Sequence, residues 1–334
     1  MGIPAIVMAG DRGAAKAIYG QSKVYLEIDG VPMVARIVLT LQSVGEVDDV
    51  WVVGDCDRLE AVFADPEIRQ QIKKPLHITE QHANLYENAW RTFKRALPGA
   101  GPEGRTPEED DLDFRVVYLS SDLPFASSRE ISHFIGEGMR LDCDYALGLV
   151  THAAVAAYQI GGLDGSSSDG LDIAFFNLRE GRVRQNNLHL ARPARILNRK
   201  YIQDMYRYRH MRAIGSMLGL ASRLLFREGG LAILFFYLIM HLGGLADRKG
   251  WKGLARIIRR GVTLKINEWG VGKLLDCRFR FVVSEIGGSA IDVDTEEEYE
   301  TIQRNFAAWS ILERDRVTAV LGPAPPEIST GTCS

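Results

Sequence analysis

Three short runs of this sequence carry the residue types that handle phosphate. The first, Ala9-Gly10-Asp11-Arg12-Gly13, closes the apolar run 3–8 and is followed by Lys16 and Lys23. Glycine lets backbone N–H groups come close to phosphate oxygens, and nearby cations offset the charge that builds up in phosphoryl transfer. The spacing is neither that of a P-loop nor G-x-G-x-x-G, and the same residues also suit a tight turn with solvated cations. The second run, Ser120-Ser121-Asp122-Leu123-Pro124-Phe125, follows the buried-type stretch 116–119. An aspartate just past such a strand lies at the carboxyl edge, where open α/β sheets bind ligands. Magnesium is held by one or two carboxylates plus substrate phosphates, so this position suits it; opening a turn before Leu-Pro is the plainer use. The third run is Ile291-Asp292-Val293-Asp294-Thr295. Alternation puts Asp292 and Asp294 on one face, and local sequence by itself favours Asp294 as a helix N-cap.

The elements around these runs alternate between strand and helix. Short β-prone stretches are predicted at 3–8, 24–28, 50–53, 76–78, 114–119, 145–150, 173–176 and 278–284. Residues 33–44 read as a helix, with Val34, Ile37, Val38 and Leu41 on one face. Asn84 opens another that runs to about residue 97, 128–138 forms a third, and a last amphipathic helix is centred on 299–309. Strand–helix alternation implies βαβ crossovers and a mostly parallel sheet covered on both faces. The runs 98–113 and 161–170 are surface loops by their Gly, Pro, Ser and acidic content.

In order, these residues resemble the MobA-like nucleotidyltransferases. The resemblance rests on Ala9-Gly10-Asp11-Arg12-Gly13, Lys23-Val24-Tyr25-Leu26, Gly30-Val31-Pro32-Met33, Ser121-Asp122-Leu123-Pro124-Phe125 and Ile291-Asp292-Val293-Asp294-Thr295, and covers residues 3 to about 305 with one interruption. It implies a Rossmann-like three-layer α/β sandwich of the GT-A type. It also implies transfer of a nucleoside monophosphate from an NTP to a phosphorylated acceptor, with release of pyrophosphate. By position, Ala9, Gly10, Asp11 and Gly13 would hold the nucleotide, and Lys23 with Arg12 or Lys16 would stabilise charge on the phosphates. Asp122, Asp294 and Asp292 would hold Mg2+ or Mn2+. Two departures stand out: the family's second glycine is Asp11 here, and its Arg-Met step is absent, with Arg12 early and Lys16 late. Asn88 is a candidate nucleotide contact and Asn187 a candidate acceptor contact; in the stretches 84–88 and 186–187, capping by Asn84 and a turn at Asn186-Asn187 serve equally well.

The chain has 334 residues, 46% of them hydrophobic and 25% charged, with a formal net charge of −3; these values exclude disordered and low-complexity classes. Four scattered cysteines form no C-x-x-C pair, and the first residues lack a basic region and a cleavage site, so a cytoplasmic protein without zinc or disulfides is expected. The net charge hides a division. Residues 199–276 hold 15 Lys and Arg against 5 Asp and Glu, a local +10, while the remainder carries −13. The acidic remainder argues against nucleic acid as a partner. The basic block, read as a helical insertion into an α/β domain of 1–198 and 277–310, flanks the uncharged run 229–246 and the amphipathic run 251–260. Burial in the core, contact with an anionic membrane surface at the inner face, and a short transmembrane span all fit it. Membrane contact would make a lipid phosphate an acceptor. Residues 311–334 are read as a C-terminal tail, Pro-, Gly- and Ser-rich from 322. Two other functions fit less of the sequence: a GT-A-type glycosyltransferase using a nucleotide-sugar, and a membrane-associated scaffold on a degenerate transferase domain.

Overall fold

The computed structural model describes residues 2–11, 17–159, 169–199, 201–202 and 261–324. Its central sheet has eight strands: β1 (Ile3–Met8), β2 (Val47–Gly54), β3 (Leu76–Glu80), β4 (Val116–Ser120), β5 (Tyr145–Thr151), β6 (Phe176–Asn177), β7 (Arg182–Ala191) and β8 (Phe279–Ser284). The order is β8-β5-β7-β4-β1-β2-β3, with β6 on β7. The β8–β5, β4–β1, β1–β2 and β2–β3 pairs are parallel, and β7 alone runs antiparallel to β4 and β5. The chain therefore builds outward from β1 to β3, then returns to the other side of β1 as β4. That reversal opens a crevice beyond the carboxyl ends of β1 and β4, where doubly wound sheets take their ligands.

Sequence explains the layers. In β1, Ala5 and Val7 face one side and Ile6 the other, all fully buried, as a strand covered on both faces requires. Helices α1 (Met33–Gln42) and α4 (Ser128–Arg140) cover the Ala5 and Val7 face through Val34, Ile37, Leu41, Ile131, Phe134 and Ile135. Helix α3 (Leu85–Ala96), which follows the short helix α2 (Cys56–Ala64), covers the opposite face through Phe93. The expected three-layer, mostly parallel α/β architecture is the one observed.

Local chemistry sets the element ends. Asn84 caps α3 by accepting from Glu87 N at 3.0 Å, and Ser127 caps α4 by accepting from Glu130 N at 3.2 Å. Asp29 and Gly30, both at positive φ, turn the chain between Glu27–Ile28 and Val31–Pro32, the left-handed pair a two-residue hairpin demands.

Several expectations are corrected. The predicted strand at 24–28 is a 3-10 turn at Lys23–Tyr25 followed by two strand residues, because Lys23 is pulled inward by partners described below. The strand expected at 173–176 is reduced to Phe176–Asn177. Asn187 lies inside β7, not in a connection; a bulge between Gln185 and His189 puts it at φ 58°. The last helix, α6 (Glu296–Leu321), runs well past residue 310, where the tail was expected to begin.

Most of the basic block, including 229–246 and 251–260, lies outside the described residues. Its described portion, α5 (Leu264–Leu275), buries Leu275 against Ala191 and Ile196. Among the described residues, no helix is long and apolar enough to cross a membrane.

Candidate active site

At the end of β1 the chain must pass very close to β2. Ala9 N donates to Val53 O at 2.9 Å, and a Cβ on Gly54 would meet Ala9 O at 2.9 Å. Gly10 follows, backed by two amides: a Cβ there would lie 2.9 Å from Asn88 Nδ2 and 3.2 Å from Gln81 Oε1. The glycine is thus required by close packing below the loop, leaving its other side to a ligand. Asn88 is buried and accepts from His82 N at 2.5 Å, so its place in the site is beneath the Gly10 turn.

Asp11 is clasped by Gln81. Its N–H donates to Gln81 Oε1 at 2.9 Å, and Gln81 Nε2 donates back to Asp11 Oδ1 at 2.7 Å. The other carboxylate oxygen pairs with Arg58 at 3.2 Å, whose guanidinium lies over the Tyr25 ring. The Asp11 carboxylate therefore has its own cation, one that sequence spacing does not point to. Arg12, Gly13 and Lys16 lie outside the described residues.

At the end of β4, Ser121 Oγ donates to Met8 O at 3.0 Å, tying the β4 terminus to that of β1. The next residue, Asp122, is buried; it accepts from Ser120 Oγ and pairs with Lys23 Nζ at 2.5 Å. Lys23 Nζ also donates to Asp294 Oδ1 and Val293 O, both at 2.6 Å. All three ammonium protons are thereby used. Burial lowers the Lys23 pKa, but Asp122 and then Asp294 outweigh it and hold the ammonium well above the ordinary lysine range.

Asp294 is available for this contact because it does not cap α6. Thr295 is the N-cap: it accepts from Glu298 N at 3.2 Å, while the Glu298 carboxylate accepts from Thr295 N and Asp294 N. The capping role expected of Asp294 is corrected accordingly. Asp292 takes a third position. Its Oδ1 accepts from Arg184 at 2.6 Å, and Arg184 Nε donates to Ala290 O at 2.9 Å. Burial raises the Asp292 pKa against the pull of Arg184, and the charges of Asp122 and Asp294 raise it further, so the three carboxylates form one electrostatic cluster. Arg184 was not singled out by sequence reading. It comes from the N-terminal part of β7, which the antiparallel run of that strand brings to the carboxyl edge of β4 and β5. Asn187 stands three residues further on; Leu188 pairs with Leu119, which puts Asn187 at the level of Ser120.

The structure thus brings together Gly10, Asp11, Asn88, Lys23, Asp122, Asp292 and Asp294 around the β1–β4 crevice. A divalent cation can be tested against this donor set. Among the described residues, no group of three His, Cys, Asp or Glu side chains has metal-binding geometry. Asp122 and Asp294, however, already converge on a single cationic atom, and Asp292 is neutralised by Arg184. Two carboxylates converging on one cation, with phosphate oxygens to complete the shell, fit magnesium.

No protein-family model matches the chain, and no curated protein matches its sequence. Solved structures do match. One from Thermus thermophilus, described as a hypothetical transferase, aligns over 89% of this chain and 99% of its own, at 20% identity and a TM-score of 0.53. The 4-diphosphocytidyl-2C-methyl-D-erythritol synthase of Anaerococcus prevotii aligns over 92% and 98% of the two chains, at 14% identity and a TM-score of 0.44. CMP:2-keto-3-deoxy-manno-octonic acid synthetase, solved with CTP, aligns over 92% and 99%, at 14% identity and a TM-score of 0.41. The likeness to the Thermus thermophilus structure is one of fold.

Proposed function

We propose that the protein is a MobA-like, magnesium-dependent nucleotidyltransferase that moves a nucleoside monophosphate from an NTP onto a phosphorylated acceptor. The observation that carries this reading is the convergence of Asp122 and Asp294 on the Lys23 ammonium beyond the ends of β1 and β4. The sheet reversal supplies the ligand crevice, and the Gly10 turn supplies backbone at its floor. An oxygen of the acceptor phosphate attacks the α-phosphorus in line. The new phosphorus–oxygen bond forms as the α–β anhydride breaks, and the electron pair leaves with pyrophosphate. A phosphate dianion has no proton to lose, so no general base and no protein nucleophile is needed.

Asp122 and Asp294 would hold the cation, with Asp292 kept behind them by Arg184. Magnesium or manganese bound there polarises phosphate oxygens and offsets their negative charge. Lys23 would direct its ammonium to the phosphates and stabilise the charge that grows on the leaving group. Gly10 and Asp11 bound the nucleotide side, with Asn88 supporting the turn and Arg12 or Lys16 as the further phosphate cation. Asn187, at the level of Ser120, faces the acceptor side.

Sugar, polyol and lipid phosphates all satisfy this chemistry as acceptors. The +10 charge of residues 199–276 supports contact with an anionic membrane surface and hence a lipid-borne acceptor, with the enzyme at the inner face. Pyrophosphate release, measured for each NTP with magnesium over a panel of phosphorylated acceptors, tests the reading. Transfer from a nucleotide-sugar without pyrophosphate release would favour a glycosyltransferase, and no NTP binding at all would favour a scaffold.

A further inference from the structure

The segment that delivers Asp292 and Asp294 begins in a glycine-rich turn, Gly288–Ala290, held from behind by two buried acids. Glu130, in the first turn of α4, accepts from Ser289 N through both oxygens, at 3.1 and 3.0 Å, and from Ser289 Oγ at 2.5 Å. Glu313, on α6, accepts from Gly288 N at 2.8 Å and from Tyr158 OH at 2.5 Å. Consecutive amides of one turn are thus each bound by a carboxylate, and the two carboxylates come from different helices. Both side chains and Ser289 are buried. The turn packs closely on neighbouring backbone: a Cβ on Gly288 would overlap Phe125 O, and one on Gly287 would meet Ala154 O at 2.6 Å. Phe125 lies three residues past Asp122 in the loop between β4 and α4, so the same packing ties the turn to the loop that carries the opposite carboxylate of the site.

We propose that Glu130 and Glu313 are positioning residues, a two-acid clamp that fixes the Gly288–Ala290 turn and through it the spacing of Asp292 and Asp294 from Asp122. The catalytic part of this inference rests on the nucleotidyltransferase reading; the clamp does not. Two carboxylates in one buried site cannot both be charged cheaply. Burial, and then the charge of Glu313, push Glu130 up to about 8. Glu313 is raised as well, because burial outweighs the opposing pull of the Tyr158 hydroxyl, the Gly288 and Gly287 amides and Arg316. The groups facing the pair are therefore Ser289 and Ser127 on the Glu130 side, and Tyr158, Gly287, Gly288 and Arg316 on the Glu313 side. Glu130 therefore holds its proton at neutral pH.

The test combines amide hydrogen exchange over residues 286–295, corrected for intrinsic rates, with pyrophosphate release from ATP, CTP, GTP and UTP across pH 6 to about 9.5. Glu130→Ala and Glu313→Ala are expected to speed exchange in this segment about tenfold, with the strands β1 and β4 unchanged, and to lower turnover about tenfold. Glu130→Gln, which mimics the protonated acid, is expected to restore both and to abolish the extra exchange and lost turnover of the wild type above pH 8. If Glu130→Ala does not fold, Ser289→Ala removes one donor to Glu130 and is expected to speed exchange about threefold. Exchange within about twofold of wild type in the folded alanine variants, or a Glu130→Gln profile identical to wild type above pH 8, overturns the clamp. Absence of pyrophosphate release by wild type, with exchange as described, would instead overturn the transferase reading and leave the clamp standing.

Discussion

The Lys23 ammonium meets the Asp294 carboxylate at 2.6 Å across 271 positions of sequence, and the same nitrogen lies 2.5 Å from Asp122. One cation thereby joins the first, middle and last parts of the chain at the point where the sheet reverses direction. Under the proposed function a metal-bound nucleotide would need these same carboxylates, and Lys23 and the divalent cation would compete for them.

Lys23→Gln separates those roles. Its turnover is expected to fall about 10²–10³-fold, as when a transition-state donor is removed. Mn2+ binding to the nucleotide-free protein, followed by electron paramagnetic resonance, is expected to tighten because the carboxylates are released. Unchanged turnover together with unchanged Mn2+ affinity would contradict the competition.

The three aspartates are expected to rank. Asp122→Asn and Asp294→Asn would each remove a proposed ligand and should weaken Mn2+-nucleotide binding at least tenfold. Asp292→Asn leaves Arg184 without its charged partner, which costs stability more than metal affinity. Titration calorimetry and thermal melts check the order; equal losses of metal affinity in all three would place Asp292 in the metal shell.

Capping and metal binding are expected to be separable in one turn. Thr295→Ala removes the α6 cap and should cost about 1 kcal/mol of stability. The Asp294 carboxylate is untouched, so turnover is expected to stay within about threefold of wild type. Chemical denaturation and steady-state rates measure the two; a large loss of turnover with no loss of stability would contradict the division.

The buried Glu130 makes stability depend on pH. Its proton leaves the unfolded chain near the ordinary value of 4.5 and the folded chain at about 8. The folded state binds more protons between these values, so this contribution is complete below about 4.5 and is lost as pH rises through about 8. Melting curves from pH 5 to about 9 should fall for wild type and flatten for Glu130→Gln. Parallel curves would show that Glu130 does not titrate in this window.

Sedimentation with anionic liposomes tests the membrane contact. At low salt the protein is expected to pellet with them and to be released as salt rises. Protein that stays in the supernatant at low salt would remove the argument for a lipid-borne acceptor.

The sequence made some of this site legible because strand ends announce themselves. Asp122 follows a continuous apolar strand, so its position at a sheet edge could be read directly, whereas Asp292 and Asp294 show only alternation before a capping signal. That Thr295 takes the cap and frees Asp294 could not be read, because Asp and Thr are both good N-caps and only backbone geometry chooses between them. Arg184 was hidden for a different reason. Along β7, buried Val183 and buried Leu188 and Leu190 fall out of phase, since the bulge at Asn186 and Asn187 shifts the two-residue period. Without that period the segment does not read as a strand, and an arginine in it does not read as part of a site. Glu130 and Glu313 look like ordinary helix-surface acids until α4 and α6 meet over the same turn.

The central claim is most directly tested by following the α-phosphate itself. Wild-type protein, incubated with α-labelled NTPs, magnesium and phosphorylated acceptors, is expected to move the label onto one acceptor with one pyrophosphate released per transfer, and Asp122→Asn is expected to abolish both. Label that stays on the nucleotide with every NTP and acceptor, or transfer that survives the loss of Asp122, would contradict it.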